Sequence, residues 1–225
     1  MTDHISTLLR PALRAIFLAL FAAGSLAAVG YARAWLAPSD IEQMATTRGA
    51  LVAQDPRQTE IDGAGFGFSR DGYHLTPVAL FDATGVVLGR RGYPTGSDYP
   101  FSTLDLALGW GRLSDPSVLE GVTFYQGHRK LRWKIRKGAE ISAEEVLHRS
   151  ANIHIIAADP EVSRALQLVQ TGDLIGLAGF LVNAHDGSRV WRTSLARNDT
   201  GEGSTEIMVV QSVDLDPLRA TSTSR

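Results

Sequence analysis

The chain has 225 residues, 44% of them apolar and 20% charged, with a formal net charge of -2 and a pI near 6.3. That composition excludes a disordered chain, leaves room for one ordinary domain beside an anchor, and gives no global attraction to nucleic acid. The absence of cysteine removes disulfides, thiol nucleophiles, cysteine-bound metals and lipid attachment through an N-terminal cysteine.

Residues 15–32 carry no charge, with Arg10 and Arg14 before them and Arg33 after. As a helix this run reaches roughly 27 Å at about 1.5 Å per residue, and Tyr31, Trp35 and Leu36 extend it into an interfacial belt, so it can span a bilayer. Two arginines in front and one behind favour an N-terminus in the cytoplasm and Pro38 to Arg225 outside it. A cleaved secretory signal is the rival reading, with Ala32-Arg33-Ala34 as its cleavage site, but the run exceeds the roughly 7 to 15 residues of an ordinary signal core. The expected layout is therefore a cytoplasmic N-terminus (1–14), a transmembrane anchor (15–36), a connector (37–72), a β-rich extracytoplasmic domain (73–215) and a disordered tail (216–225).

Beyond the anchor, Pro38 to Gln58 reads as a polar connector with helical character near 40–44, and the glycine-rich stretch 59–72 as turns and irregular strand. Thr76 to Phe81 and Val86 to Arg91 read as two strands joined by the turn Asp82-Ala83-Thr84-Gly85. Thr103 to Leu108 reads as a strand ending in Gly109-Trp110-Gly111, whose ring should lid the core. Asp115-Pro116 starts one helical turn. Val122 to Gln126 and Lys130 to Arg136 form a second hairpin around Gly127-His128. In its second strand Lys130, Arg132, Lys134 and Arg136 alternate with Leu131, Trp133 and Ile135, and period two puts all four cations on one face. Arg129 and Lys137 extend the basic run. Such a face is either a solvated strand that discourages edge pairing or a site for anionic lipid headgroups or another polyanion; nucleic acid is disfavoured for want of a stacking ladder.

Ser142 to Glu145 has the spacing of a capping box, and Asp159-Pro160-Glu161 that of a second helix start, so two short helices should pack Val162, Ala165, Leu166 and Val169 over an edge or end of the sheet. Asp173 to Val182, Val190 to Leu195 and Glu206 to Val213 read as a three-stranded antiparallel meander around one polar loop, 196–205.

Chemistry concentrates between Ser150 and Val213. In an extended segment Asn152 and His154 share one face while Ile153 and Ile155 meet the core. Arg197 to Gly203 is the densest polar loop. Its Asp199-Thr200-Gly201 has the letters of the aspartic-protease triplet without the apolar strand before it or a second copy, and self-bonding of the loop explains those residues equally. A hydrolase written from Ser194, His154 and Asp199 has no nucleophile elbow to support it. The histidines show no metal-ligand spacing and no cofactor motif is legible, so neither metal nor cofactor is expected. The catalytic candidates are His154, Arg197, Asp199 and Glu206; the binding candidates are Asn152, His154, Arg197, Asp199 and the four strand cations Lys130, Arg132, Lys134 and Arg136.

Asp105-Leu106 with Trp110-Gly111, Ser150-x-Asn152-x-His154, Gly172-Asp173 with Gly179-x-Leu181-Val182, and Ser194-x-x-Arg197-x-Asp199-Thr200-Gly201-x-Gly203 with Glu206 resemble a family of uncharacterised membrane-anchored bacterial proteins, from about Leu104 to Val213. The resemblance implies a bacterial host and a common fold, and no reaction. Members of that family often carry a cysteine where this chain has Thr205. The expected architecture is α+β: a single transmembrane helix, then a small twisted antiparallel sheet or partly closed barrel with two short helices. The expected role is a non-catalytic binding or scaffolding module at the bacterial inner membrane, with the membrane, another envelope protein or an anionic lipid surface as partner and no nucleic acid. The alternative is an envelope hydrolase using His154, Arg197, Asp199 and Glu206.

Overall fold

The computed structural model describes residues 50–61, 67–94, 98–196, 205–215 and 217, all inside one compact unit, 38–225. The expected anchor at 15–36 lies outside the described residues, as do the helical stretch near 40–44, Arg197 and Asp199. Among the described residues no helix is long and apolar enough to cross a membrane.

The domain is β-rich with few helices, and its strands begin earlier than position 73. β1 (Arg57–Glu60) and β2 (Phe68–Arg70) lie inside the expected connector, yet both pair with the next strand. Val52 is buried in the core, its N–H donating to Ser114 Oγ at 2.8 Å.

The expected hairpin between residues 76 and 91 does not form. Those residues belong to one 20-residue strand, β3 (Tyr73–Gly92). Asp82-Ala83-Thr84-Gly85 has turn letters, but each of the four takes an extended partner in a later strand, from Asp82 opposite Ala178 to Gly85 opposite Ile175. Gly85 serves close approach instead of a turn: a Cβ there would sit 2.8 Å from the Gly109 carbonyl oxygen. Ala79, Phe81 and Ala83 are buried on one side, and a chain that gains partners along both edges loses more by turning than by staying extended.

After β3 come β4 (Leu104–Gly109), a 3₁₀ turn (Gly111–Ser114), α1 (Pro116–Leu119) capped by Asp115, and the hairpin β5 (Val122–Gly127) and β6 (Lys130–Ile135). Then follow α2 (Ala143–His148), β7 (Ser150–Ala157), α3 (Pro160–Leu168), β8 (Leu174–His185), β9 (Val190–Trp191) and β10 (Glu206–Asp214). Both expected caps are present: Ser142 Oγ accepts from the Glu145 N–H at 3.0 Å, and Asp159 Oδ1 from the N–H groups of Glu161 and Val162 at 2.8 and 2.9 Å.

The pairings close on themselves. β3 pairs with β4, β4 with β7, β7 with β10, β10 with β8, and β8 returns to β3 over residues 74–86. All are antiparallel except β7–β10, which is parallel. This corrects the expected final meander: β8 lies between β10 and β9, and β10 enters beside β7. The residues explain why. Ile153 to Ile156 and Ile207 to Val210 are buried without alternation, as strands covered on both faces are. A meander with one wet face would have exposed half of them.

Leu106, Leu108, Ile153, Ile155, Leu177, Leu181, Met208 and Val210 fill the ring, each buried Leu, Ile or Val contributing about 1.5 to 3 kcal/mol. Val162 and Leu166 of α3, with Val169, join the same cluster, and so does Trp110, the expected lid. Gly179 is where β8 presses closest on β10: a Cβ there would lie 2.0 Å from the Val209 carbonyl oxygen, beside the bulge between Val210 and Ser212.

The β5–β6 hairpin forms as the alternation predicts. Leu131, Trp133 and Ile135 pack with Leu88, Ala107, Leu113 and Val146, so the hairpin lies against the outside of the ring at β4, while Lys130, Arg132, Lys134 and Arg136 are exposed. Its two-residue turn puts His128 at φ 51° and Arg129 at φ 61°. Left-handed backbone at two successive non-glycine residues is the twist a two-residue hairpin demands, held here without the glycine that makes it easy.

Candidate functional site

Asp105 on β4 and His154 on β7 are direct register partners. Because Leu106, Ile153 and Ile155 turn into the ring, strand alternation sends Asp105, Asn152 and His154 to its outer wall. That wall is roofed. The hairpin turn covers it from one side. From the other comes an aromatic group in which Phe101 meets Tyr73 and Trp191 edge to face at 5.4 and 5.3 Å, while the Tyr99 ring lies 4.0 Å from the His154 ring. Trp191 Nε1 donates to the Asp98 carbonyl at 2.8 Å, tying β9 to the loop after β3. Asp105 and His154 are both 0% exposed.

Arg129 is the centre of the set, and the basic-run reading of it is corrected here. Its position gives it the parity of Leu131, Trp133 and Ile135, on the face away from Lys130 and the exposed cations, and it is 4% exposed. Its Nη1 donates to Asp105 Oδ1 at 2.6 Å, and its Nη2 to the carbonyls of Ser102 at 2.5 Å and Tyr99 at 3.2 Å. The guanidinium lies over the Tyr93 ring at 3.9 Å. Its own carbonyl accepts from Asn152 Nδ2 at 3.3 Å, and Asn152 Oδ1 accepts from Gln126 Nε2 at 2.8 Å. Hairpin, barrel wall and loop are thereby stitched together through one buried ion pair. Asp105 Oδ2 has no hydrogen-bond partner among the described residues, so the stitching carries a desolvation cost.

His154 continues the chain of contacts. Its Nδ1 lies 2.8 Å from Asp105 Oδ1 and its Nε2 2.9 Å from Thr205 Oγ1. A carboxylate can only accept, so Nδ1 carries the proton and Nε2 faces the hydroxyl. Asp105 and Arg129 form a buried ion pair in which the two charges compensate each other. Acid, imidazole and hydroxyl in this order form a proton-relay geometry, closed over by Tyr99 and with Thr205 8% exposed.

The sequence-derived candidates are only partly brought together. Asn152 and His154 do share a face. Glu206 is buried, but its register partner is Ile153, a core residue, whereas His154 pairs with Ile207. Lys130, Arg132, Lys134 and Arg136 belong to another surface, and none of them forms an ion pair among the described residues. Ser194 turns to its own loop, Oγ accepting from the Ala196 N–H at 3.1 Å. Among the described residues no group of three or more His, Asp or Glu side chains could hold a metal.

Asp105, Gln126, Arg129 and Thr205 were not singled out as site residues from sequence. Asp105 had a signal: one acid inside the apolar run Leu104 to Leu108 must find a cation or a hydrogen-bond cage if the strand is buried. Arg129 had one too: its parity matches Leu131, Trp133 and Ile135, which puts it on the face opposite the four cations. Compared with known proteins, the chain matches no family model, no curated protein and no solved structure.

Proposed function

We propose that this chain is a non-catalytic binding or scaffolding module of the bacterial cell envelope, held at the inner membrane by residues 15–36 with its β-rich domain outside the cytoplasm. The observation that carries the reading is the enclosure of the polar set. Asp105 and His154 are fully covered by the chain's own hairpin and aromatic residues, and what they bond to belongs to the fold. The ring order β3-β4-β7-β10-β8, with α3 joining β7 to β8 in the chain, is that of a five-stranded Greek-key barrel of the OB type. Such barrels offer the outer face of their second and third strands to ligands. Here those are β4 and β7, and the inserted β5–β6 hairpin occupies that face. The chain has filled the usual ligand surface with itself, which moves binding to what the insertion presents outward. The motif resemblance to membrane-anchored bacterial proteins agrees with this placement.

A second reading, an envelope hydrolase, is favoured by one observation, the Asp105–His154–Thr205 line. In it Thr205 Oγ would attack an acyl carbonyl, its proton passing to His154 Nε2 and then to the leaving group, with water later releasing the acyl chain. Treating the full chain in membranes with a fluorophosphonate probe separates the two. The non-catalytic module predicts no adduct at Thr205; an adduct that Thr205→Val removes would establish the hydrolase instead.

A further inference from the structure

We propose that the outward face of the β5–β6 hairpin docks on anionic phospholipid headgroups of the membrane that anchors the chain; this deepens the reading of a membrane-held module and rests on it. The face is unusual in what it lacks. Lys130, Arg132 and Lys134 stand opposite Gly127, Tyr125 and Thr123, so the cross-strand partners on the exposed side include no acid. Arg136 and Lys137 continue the exposed cations beyond β6. Glu120 and Glu140, the acids nearest in sequence, lie outside both strands. In a chain of net charge -2, these cations form no ion pair among the described residues.

Two further features suit a lipid surface better than a soluble polyanion. Tyr125 stands 55% exposed between the cations, an amphipathic ring of the kind that settles at headgroup level. The opposite face of the hairpin, through Leu131, Trp133 and Ile135, packs against the buried cluster, so the cations stand on a strand held to the domain and not on a free arm. Near an anionic surface each such cation is worth about a fivefold preference for the docked state, so four together dominate the equilibrium.

The chain contains no cysteine, so Thr123→Cys, on the exposed side of β5, gives a single attachment point for an environment-sensitive fluorophore on the full chain in lipid nanodiscs. Docking predicts a blue shift and brightening in discs containing phosphatidylglycerol and neither in discs of phosphatidylcholine. Raising salt from about 0.1 to 1 M, which shrinks the Debye length from roughly 10 to 3 Å, should reverse it. The fourfold change of Lys130, Arg132, Lys134 and Arg136 to Gln should abolish it while leaving the thermal transition in place. Equal emission in both lipids, or a response that survives the fourfold change, overturns the proposal. So does a response in neutral discs to an added oligonucleotide or acidic polypeptide with none to anionic lipid, which would assign the face to a soluble polyanion. Each of these results leaves the non-catalytic reading untouched, while fluorophosphonate labelling of Thr205 would end that reading without bearing on the fluorophore.

Discussion

Arg129→Met removes the cation that compensates Asp105 and keeps most of the buried side-chain volume. Asp105 is 0% exposed, the Nη1 to Oδ1 distance is 2.6 Å, and Oδ2 has no partner among the described residues, so the variant leaves an enclosed carboxylate with the His154 Nδ1 contact and without its Arg129 counter-charge. Breaking a buried pair this way costs about 3 to 5 kcal/mol, against a total stability on the order of 5 to 15. For a domain of this size that is a fall in Tm of roughly 8 to 16 °C. Lys130→Met, one residue away but exposed, should stay within about 0.5 kcal/mol of the parent. Removing the partner as well, in Arg129→Met with Asp105→Leu, should recover most of the loss, less about 1 kcal/mol for the acceptor that His154 Nδ1 then lacks. Thermal and urea unfolding of the full chain in detergent, followed by circular dichroism, reads all three. Arg129→Met indistinguishable from Lys130→Met, or a double variant as unstable as the sum of the singles, would refute the ion pair as the fastening of hairpin to barrel.

Gly85→Ala should cost about 1 to 3 kcal/mol, because its Cβ meets the Gly109 carbonyl at 2.8 Å where β3 crosses β4, and chemical denaturation measures it; a neutral effect would speak against that close crossing. Deleting residues 1–38 should leave a soluble domain with a single cooperative thermal transition, since all the described strands and helices lie within 50–217, and loss of the transition would show that the anchor is part of the fold. Alkaline phosphatase fused after Arg225 should be active and a fluorescent reporter that matures only in the cytoplasm dark; the reverse pattern would place the domain inside.

What was legible in the sequence was local. The caps at Ser142 and Asp159, the β5–β6 alternation and the shared face of Asn152 and His154 follow from spacings of a few residues, and each is present. What was not legible depended on partners far along the chain. Asp82 to Gly85 carries turn letters, and β8, about 90 residues later, pairs with all four and holds them extended. The parallel seat of β10 against β7 was hidden because unalternating Ile and Val runs fit several strand neighbours equally well. Asp105 and Arg129 are 24 residues apart, and although period two puts Arg129 on the inward face of Leu131 and Trp133, nothing local says that Asp105 lies beneath it. Arg197 and Asp199, two of the sequence-derived candidates, lie outside the described residues.

A closed polar interior fastens the insertion, and the open basic face is the proposed binding surface. Amide hydrogen exchange of the full chain, compared between nanodiscs with and without phosphatidylglycerol, tests that division most directly. The account predicts added protection along Val122–Gly127 and Lys130–Ile135, with β4 and β7 exchanging alike in both lipids. Protection that appears on β4, β7 or residues 190–196 and spares the hairpin would contradict it, placing the working surface at the Asp105–His154 site after all.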